Sequence, residues 1–383
     1  MSKNKHIGII GGGIAGLTAG IMLQNQGYKV SVFEASENIR GIGAGIGLAA
    51  NAMKAFEYLN LAEELKQISN VLEDFKVCNP KGETLFAINT AKISENFQTE
   101  NYAIHRADLH QYLVDKLGEE KIFTGKKLKN FKLLSHQVNL KFKDKSNVIV
   151  DFVIGADGVN SKVRRILLPE SKPQYAGYWC WRGVVDYEKK DFHKSMAVWG
   201  KKGRFGITPL GKNKVYWFAC INTKLKGKTT EFTLKDLQNQ FRNYTSPIPE
   251  LLSLSQENEL ISGPIMDINP INQFKFAKIL LIGDAAHATT PNMGQGACMA
   301  IEDVAVLQEE LKNNDLKTAS FNFEKRRLSR TKYIIKNSRR AGKIAQADQQ
   351  FLIGLRNNIF KTLPEKITQF PLKRLYEEDF MKF

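Results

Sequence analysis

The chain has 383 residues, 43% of them hydrophobic, enough for a large core and for two domains. Lysine and arginine outnumber acids 56 to 39, a formal charge of +17. The bases are scattered lysines with no arginine–aromatic module, so a lysine-rich surface is expected in place of a nucleic-acid site, and its field would at most draw in anionic cofactors and substrates.

No apolar run approaches the roughly 20 residues of a membrane span. The N-terminus leads straight into a strand, leaving no room for a leader. Cys78, Cys180, Cys220 and Cys298 stand far apart and form no C-x-x-C. The expectation is a cytoplasmic chain with reduced thiols, no metal and no stable membrane association.

In chain order, Ile7, Ile9 and Ile10 read as a short buried strand, followed by Gly11-Gly12-Gly13-Ile14-Ala15-Gly16. Ile14, Leu17 and Ile21 recur at helical spacing as far as Gly27, and Lys29 to Glu34 reads as a second strand ending in an acid. Each piece suits a dinucleotide. The first glycine permits a tight turn, the second lets backbone approach a pyrophosphate, and the third lets helix pack on strand. The helix N-terminus offers free N–H groups, and Glu34 can accept from a ribose diol. Gly41 to Gly47, with four glycines in seven residues, suggests backbone passing close to a flat ligand. Asn51 then reads as a helix cap, with Ala52, Ala55 and Leu59 on one face.

Residues 71 to 90 read as a hairpin around Pro80-Lys81-Gly82. Asp108 reads as the cap of a helix lined by Leu109, Leu113 and Leu117, which puts Arg106 just before a helix start. There its fork suits a phosphate or carboxylate. Three strands follow, Leu128 to Leu134, Val138 to Phe142 and Val148 to Ile154, the last entering the turn Gly155-Ala156-Asp157-Gly158.

From Pro173 to about Gly263 the texture becomes aromatic strands, with an amphipathic helix from Thr233 to Tyr244. Arg204 and Tyr216 are the polar residues of interest within those strands. Lys278 to Ile282 is a buried strand again ending in Gly283-Asp284. Gly294-Gln295-Gly296 opens the helix Ala297 to Leu311, a second anion or dipole site. The helical stretch from Phe321 carries Arg326, Arg327, Arg330, Arg339 and Arg340, expected on a solvated face.

Four segments together resemble the single-component, class A flavoprotein aromatic hydroxylases: IGIIGGGIAGL…FE (7 to 34), HRADLHQYL (105 to 113), VIGADGVNSKVR (153 to 164) and LLIGDAAHATTPNMGQGACMAIEDVAVL (280 to 307). Within that family, YAGYWCWRGVV and RFGITPLGKNKVYWF look most like the urate- and salicylate-hydroxylase branch. The resemblance implies an α/β fold. A Rossmann-like FAD-binding domain of the p-hydroxybenzoate hydroxylase type would carry an inserted β-sheet substrate domain and C-terminal helices. Residues 1–72, 101–172 and 266–320 would form the FAD-binding domain, 73–100 and 173–265 the substrate domain, and 321–383 the helical region.

Carried over by position, Gly11, Gly13, Ile14, Ala15 and Gly16 would meet the FAD pyrophosphate, and Glu34 and Ala35 the adenosine. Arg40 and Arg106 would lie along the cofactor, with Ala44 and Gly45 near the flavin and Leu128 near the adenine. Asp157 belongs to a motif linked with FAD and NAD(P)H, and Asp284 would take the ribityl chain or pyrophosphate. Pro291, Gly294, Gln295, Gly296 and Ala297 would press against the flavin ring.

The implied reaction uses NADH or NADPH, O2 and a C4a-hydroperoxyflavin to hydroxylate a small aromatic substrate, which Arg204 and Tyr216 would position. A tetracycline-modifying enzyme and an O2-independent flavin reductase share these motifs. A monomer or homodimer is expected.

Overall fold

Ile7 and Ile9 are fully buried because their strand, His6–Ile10, lies inside a six-stranded sheet. From edge to edge the order is Lys275–Phe276, Ile279–Leu281, Phe152–Gly155, His6–Ile10, Lys29–Phe33 and Ile122–Phe123. All neighbours run parallel except the first pair. Strands buried on both faces need largely apolar runs, and the four inner strands have them. The structure, a computed structural model, describes residues 5–39, 41, 43–188, 195–223, 232–364, 375 and 380–381. Among them no helix is long and apolar enough to cross a membrane.

A second sheet of seven strands holds the aromatic stretch. Its order is Ile261–Asp267, Gln174–Asp186, Lys214–Asn222, Gly203–Gly211, Ser195–Gly200, Asp74–Cys78 and Thr84–Asn89. Strand alternation sorts its side chains. One face buries Trp181, Val185, Phe205, Ile207 and Trp217 against the helices Leu234–Phe241 and Ile248–Leu254. Phe205 and Trp217 stack there, with ring centroids 5.4 Å apart. Thr233 caps the first of these helices in a capping box with Asp236. The opposite face carries polar side chains and is turned toward the glycine loops of the first sheet.

The hairpin expected over 71 to 90 is present, its strands Asp74–Cys78 and Thr84–Asn89 pairing across the Pro80 turn. Several expectations are corrected. The stretch Val148 to Ile154 is two strands in two sheets. Asn147–Val150 closes a three-stranded antiparallel sheet with Leu128–Leu133 and Val138–Phe142, whereas Phe152–Gly155 joins the parallel sheet. Asp151 makes the break. Its N–H donates to His6 O (2.8 Å), and its carboxylate accepts the His6 N–H (2.7 Å).

Asp108 caps nothing. The helix is Arg106–Leu117 and its cap is His105, so Arg106 is the first helical residue. Nor does Asn51 cap its helix. The helix is Ala50–Tyr58, and Asn51 is a fully buried hydrogen-bonding residue.

The C-terminal arginines do not share a solvated face. The helix Leu316–Ala345 buries Arg327 and Arg330 against Glu302 and Asp303 of the helix Gly296–Leu311, with N–O distances of 2.6 to 2.7 Å. Such charges enter a core only when paired. A spacing argument cannot distinguish them from Arg340, which stays exposed.

Candidate active site

The glycine turn is built from close contacts. Gly11 has φ of +110°, and a methyl there would lie 2.4 Å from Ala156 O. A methyl on Gly16 would lie 2.0 Å from Gly11 O. Neither position accepts a side chain. Gly13 differs: a methyl there would meet nothing within 4 Å. It opens the helix Ile14–Asn25, whose first N–H groups have no side-chain cap. An uncapped helix start facing open space is an anion cradle.

Glu34 lies beside this turn. Its carboxylate accepts from Gly12 N and Ser36 N, both at 2.8 Å, and Ala35 is exposed next to it. Lys126 N donates to Glu34 O (2.7 Å), which brings the strand beginning at Leu128 alongside. Ile14 is buried, and Ala15 packs close to Gly283.

The two acidic turns lie at adjacent strand ends. Asp157 is engaged locally. Its carboxylate accepts from Ser161 Oγ, from Lys162 N (2.6 Å) and from Val163 N (3.1 Å), which closes its own turn. Buried Arg164 ties that turn to the other by donating to Ala285 O (3.0 Å) and Asp284 O (3.3 Å). Asp284 is the opposite case. Its carboxylate meets no donor among the described residues and opens on the cleft, although protein surrounds it. That burial raises its pKa, while His287, Arg106 and Arg164 pull it down. The neighbouring His287 is itself buried and held by Asp303 at 2.6 Å, so it packs locally.

Gly296 starts the next helix beside Asp284, for a methyl on it would lie 4.0 Å from Asp284 Oδ1. A short turn, Pro291–Met293, precedes it, and Gly294 has φ of +66° and open space in front. The Gln295 side chain is turned inward at 1% exposure. Asn51 Nδ2 donates to Gln295 Oε1 (2.9 Å) and to Glu302 Oε1 (2.6 Å). Only backbone at 294–296 therefore faces the cleft, again at a helix start without a side-chain cap, with Ala297 in its first turn.

The polar face of the seven-stranded sheet closes the cleft. Tyr178, Cys180 and Arg182 alternate onto it from one strand, Tyr216, Phe218 and Cys220 from the next, and Arg204 from the third. Gly45 lies directly under Tyr216, since a methyl there would lie 2.4 Å from the ring. The Tyr178 hydroxyl donates to Asn292 Oδ1 (3.2 Å). Arg204, 6% exposed, has the Tyr178 and Phe218 rings at 6.0 and 5.5 Å and Cys220 Sγ at 3.5 Å from Nη2. Its Nε has no partner among the described residues.

Tyr216 shares a hydrogen bond with Arg182, and burial raises its pKa. Arg106 approaches from the other wall. Its N–H donates to Ala44 O (2.7 Å), and burial lowers its pKa against the pull of Asp284. Two cavities flank the cleft. One of about 730 Å³ reaches it at Tyr178 and Asn292, and the other, of about 290 Å³, at Gly43 and Ala44.

Of the sequence-based candidates, Gly13, Asp284, the backbone at 294–296, Arg106, Gly45, Arg204 and Tyr216 lie around the cleft, Asp157 is engaged within its own turn, and Arg40 lies outside the described residues. Arg182, Tyr178, Cys180, Cys220, Asn51 and Asn292 were not anticipated. Counting strand parity from Arg204 and Tyr216 would have found those on the sheet, but nothing in the sequence points to Asn51.

This donor set fits FAD: an open cradle at Gly13, two uncapped helix starts, and an unpaired carboxylate between them. A family model described as an FAD binding domain matches residues 4–319. The aurachin C monooxygenase/isomerase of Stigmatella aurantiaca is 32% identical over 359 residues, covering 93% of each chain. The FAD-dependent urate hydroxylase of Klebsiella pneumoniae is 27% identical over 87% of this chain and 88% of its own. The crystal structure of Klebsiella pneumoniae HpxO with FAD and uric acid superposes with a TM-score of 0.89 at 23% identity, covering 97% of both chains. The glycine cradle, the paired acidic turns and the backbone loop at 294–296 are therefore those of a member of the FAD binding domain family, and the chain is an FAD-dependent monooxygenase.

Proposed function

We propose that the enzyme uses NADH or NADPH and O2 to hydroxylate a small aromatic or heteroaromatic compound bearing an anionic or carbonyl group. One observation carries this reading. Arg204 is buried on the face that closes the cleft, with an Nε that no atom of the described residues accepts from. Leaving such a donor unmade costs about 1–3 kcal/mol, which an oxygen of a bound substrate would recover. Rings of Tyr178 and Phe218 beside the guanidinium suit a flat partner.

In this reading Gly11, Gly13, Gly16 and Glu34 hold the nucleotide end of FAD, Arg106 and Asp284 its middle, and the backbone at 294–296 the ring. Bound FAD, once reduced, supplies the activation of O2 from which one oxygen atom goes to the substrate. The rest is done by this chain. The N–H groups at the start of the helix Gly296–Leu311 stabilise negative charge in front of them. Tyr178 and Tyr216 cover the cleft and exclude water. Burial keeps the Tyr216 hydroxyl protonated, and Arg182, bonded to it, offsets that only in part, so it gives the site an O–H that can donate to a substrate oxygen. We also propose the division into an FAD-binding part, an inserted sheet and C-terminal helices at the boundaries given above.

The test is a flavin spectrum. Add NADH or NADPH under nitrogen with urate, salicylate, hydroxybenzoates, kynurenine or tetracycline in turn, then admit air. The expected result is that one compound accelerates bleaching and yields a hydroxylated product. Arg204→Ala should raise its KM at least about tenfold, the effect of losing one charge-assisted hydrogen bond. Unchanged KM and coupling in that variant would remove Arg204 from the site.

A further inference from the structure

The sheet face over the cleft carries two thiols that this reaction does not use. Cys180 and Cys220 stand directly opposite each other on neighbouring antiparallel strands, which sets their side chains next to each other on one sheet face. Opposed residues of such a pair have Cβ atoms about 4.5–5.5 Å apart. A disulfide needs about 3.5–4.5 Å, so roughly 1 Å of approach closes one.

The two sulfurs are not equivalent. Cys220 Sγ lies 3.5 Å from Arg204 Nη2, and a guanidinium favours thiolate. Burial pushes the Cys220 thiol up, but the adjacent Cys180 sulfur and the Arg204 guanidinium outweigh it and hold it below the ordinary thiol value. Cys180 is raised, first by the neighbouring Cys220 sulfur and then by burial, and its S–H points at Trp181 O (3.6 Å). The remaining cysteines are buried without such activation; burial takes Cys298 to about 12.

We propose that Cys180 and Cys220 form an oxidisable dithiol, closed to a disulfide by hydrogen peroxide released in the adjacent cleft when flavin turnover is not coupled to hydroxylation. The source of the peroxide rests on the function proposed above; the reactivity of the pair does not. The Cys220 thiolate attacks one peroxide oxygen, the O–O bond breaks, and hydroxide leaves, giving Cys220 sulfenic acid. The Cys180 sulfur then attacks Cys220 sulfur, the S–O bond breaks, and water leaves with the Cys180 proton. The hydroxide takes up the proton that Cys220 had released. Two thiols are oxidised by two electrons, and one peroxide is reduced to two waters. Closure removes the thiolate beside Arg204 and leaves that guanidinium without its counter-charge.

The test treats the FAD-loaded protein with a few equivalents of hydrogen peroxide and reads intact mass and a non-reducing peptide map. The expected product is two hydrogens lighter, linked Cys180 to Cys220, and restored by dithiothreitol. Cys220→Ser should abolish the link, and Cys180→Ser should leave Cys220 as a sulfenic acid that dimedone traps. Cys78→Ser, with its sulfur elsewhere, should change nothing. A second arm replaces peroxide with NADH or NADPH in air without substrate, with and without catalase. If added peroxide leaves the pair reduced, or oxidises Cys78 or Cys298 first, the dithiol is refuted while the hydroxylase reading stands. If added peroxide closes the pair but reductant in air never does, the cleft is overturned as the source of the peroxide, while the hydroxylase reading stands on its own substrate-stimulated test.

Discussion

Gly13 and Gly16 belong to one motif, yet the structure assigns them opposite sensitivities, and alanine at each separates folding from cofactor binding. At Gly16 the new methyl would lie 2.0 Å from Gly11 O, backbone that cannot rotate away. Helix and strand must part, at a cost on the order of 3 kcal/mol or more for overpacking against backbone. At Gly13 the methyl enters open space, and the backbone, at φ of −82° and ψ of −177°, suits any residue. Replacing glycine by alanine at a helix cap costs up to about 1 kcal/mol. The stiffer unfolded chain returns about 0.4–1 kcal/mol, so apoprotein stability should change by less than about 1 kcal/mol.

The same methyl fills the cradle that we propose takes the pyrophosphate. FAD affinity should fall at least about tenfold, which is 1.4 kcal/mol. Urea unfolding of the apoproteins and fluorescence titration with FAD read the two quantities separately. Wild-type FAD affinity in Gly13→Ala, or an undisturbed apoprotein in Gly16→Ala, would refute the assignment of cradle and contact.

Three further outcomes follow from the buried networks. Asn51→Ala strips a donor from both Gln295 and Glu302, so it should cost about 3 kcal/mol, one charged and one neutral bond, and loosen the loop at 294–296. Urea midpoints and FAD retention on a desalting column check this. Burial alone would raise the Glu302 carboxyl, but Arg330 and Arg327 hold it at about 2, below its ordinary 4.5. A depressed pKa gives stability that is complete above about pH 4.5 and is lost as pH falls toward 2, about 3 kcal/mol in all. Glu302→Gln should lower stability at pH 7 and flatten that part of the profile in acid denaturation. Tyr216→Phe should retain FAD and its spectrum but slow substrate-stimulated NAD(P)H oxidation about tenfold, as expected when a hydroxyl that donates to the substrate is lost; stopped-flow bleaching measures it.

Much of this architecture is legible in the sequence because it obeys local rules. The glycine turn, Glu34 and the two acidic turns after apolar strands carry spacing that only one backbone arrangement satisfies. The aromatic strands announce a sheet, and parity then places Arg204 and Tyr216 on one face. What is not legible depends on distant partners. Asn51 reads as a cap because caps are recognised by residue type, whereas its role comes from Gln295 and Glu302, 244 and 251 residues away. Arg327 and Arg330 read as solvent-facing because the acids that neutralise them lie on another helix. The break at Asp151 escapes notice because its cause is His6, 145 residues earlier.

The central strand of the parallel sheet has a consequence for how the chain is made. Ile7 pairs with Val30 nearby, but its other edge waits for Phe152, and that strand in turn waits for Ile279. At about 5–20 residues per second of synthesis, the last of these leaves the ribosome some tens of seconds after the first. For that interval the strand carrying the glycine turn has an unpaired, apolar edge, a template for association with other chains. Its completion is a late, long-range event of the slow kind. Shielding of nascent chains, more than the stability of the finished fold, should therefore set the yield of this protein, and truncations that stop short of Leu281 should aggregate rather than fold in part.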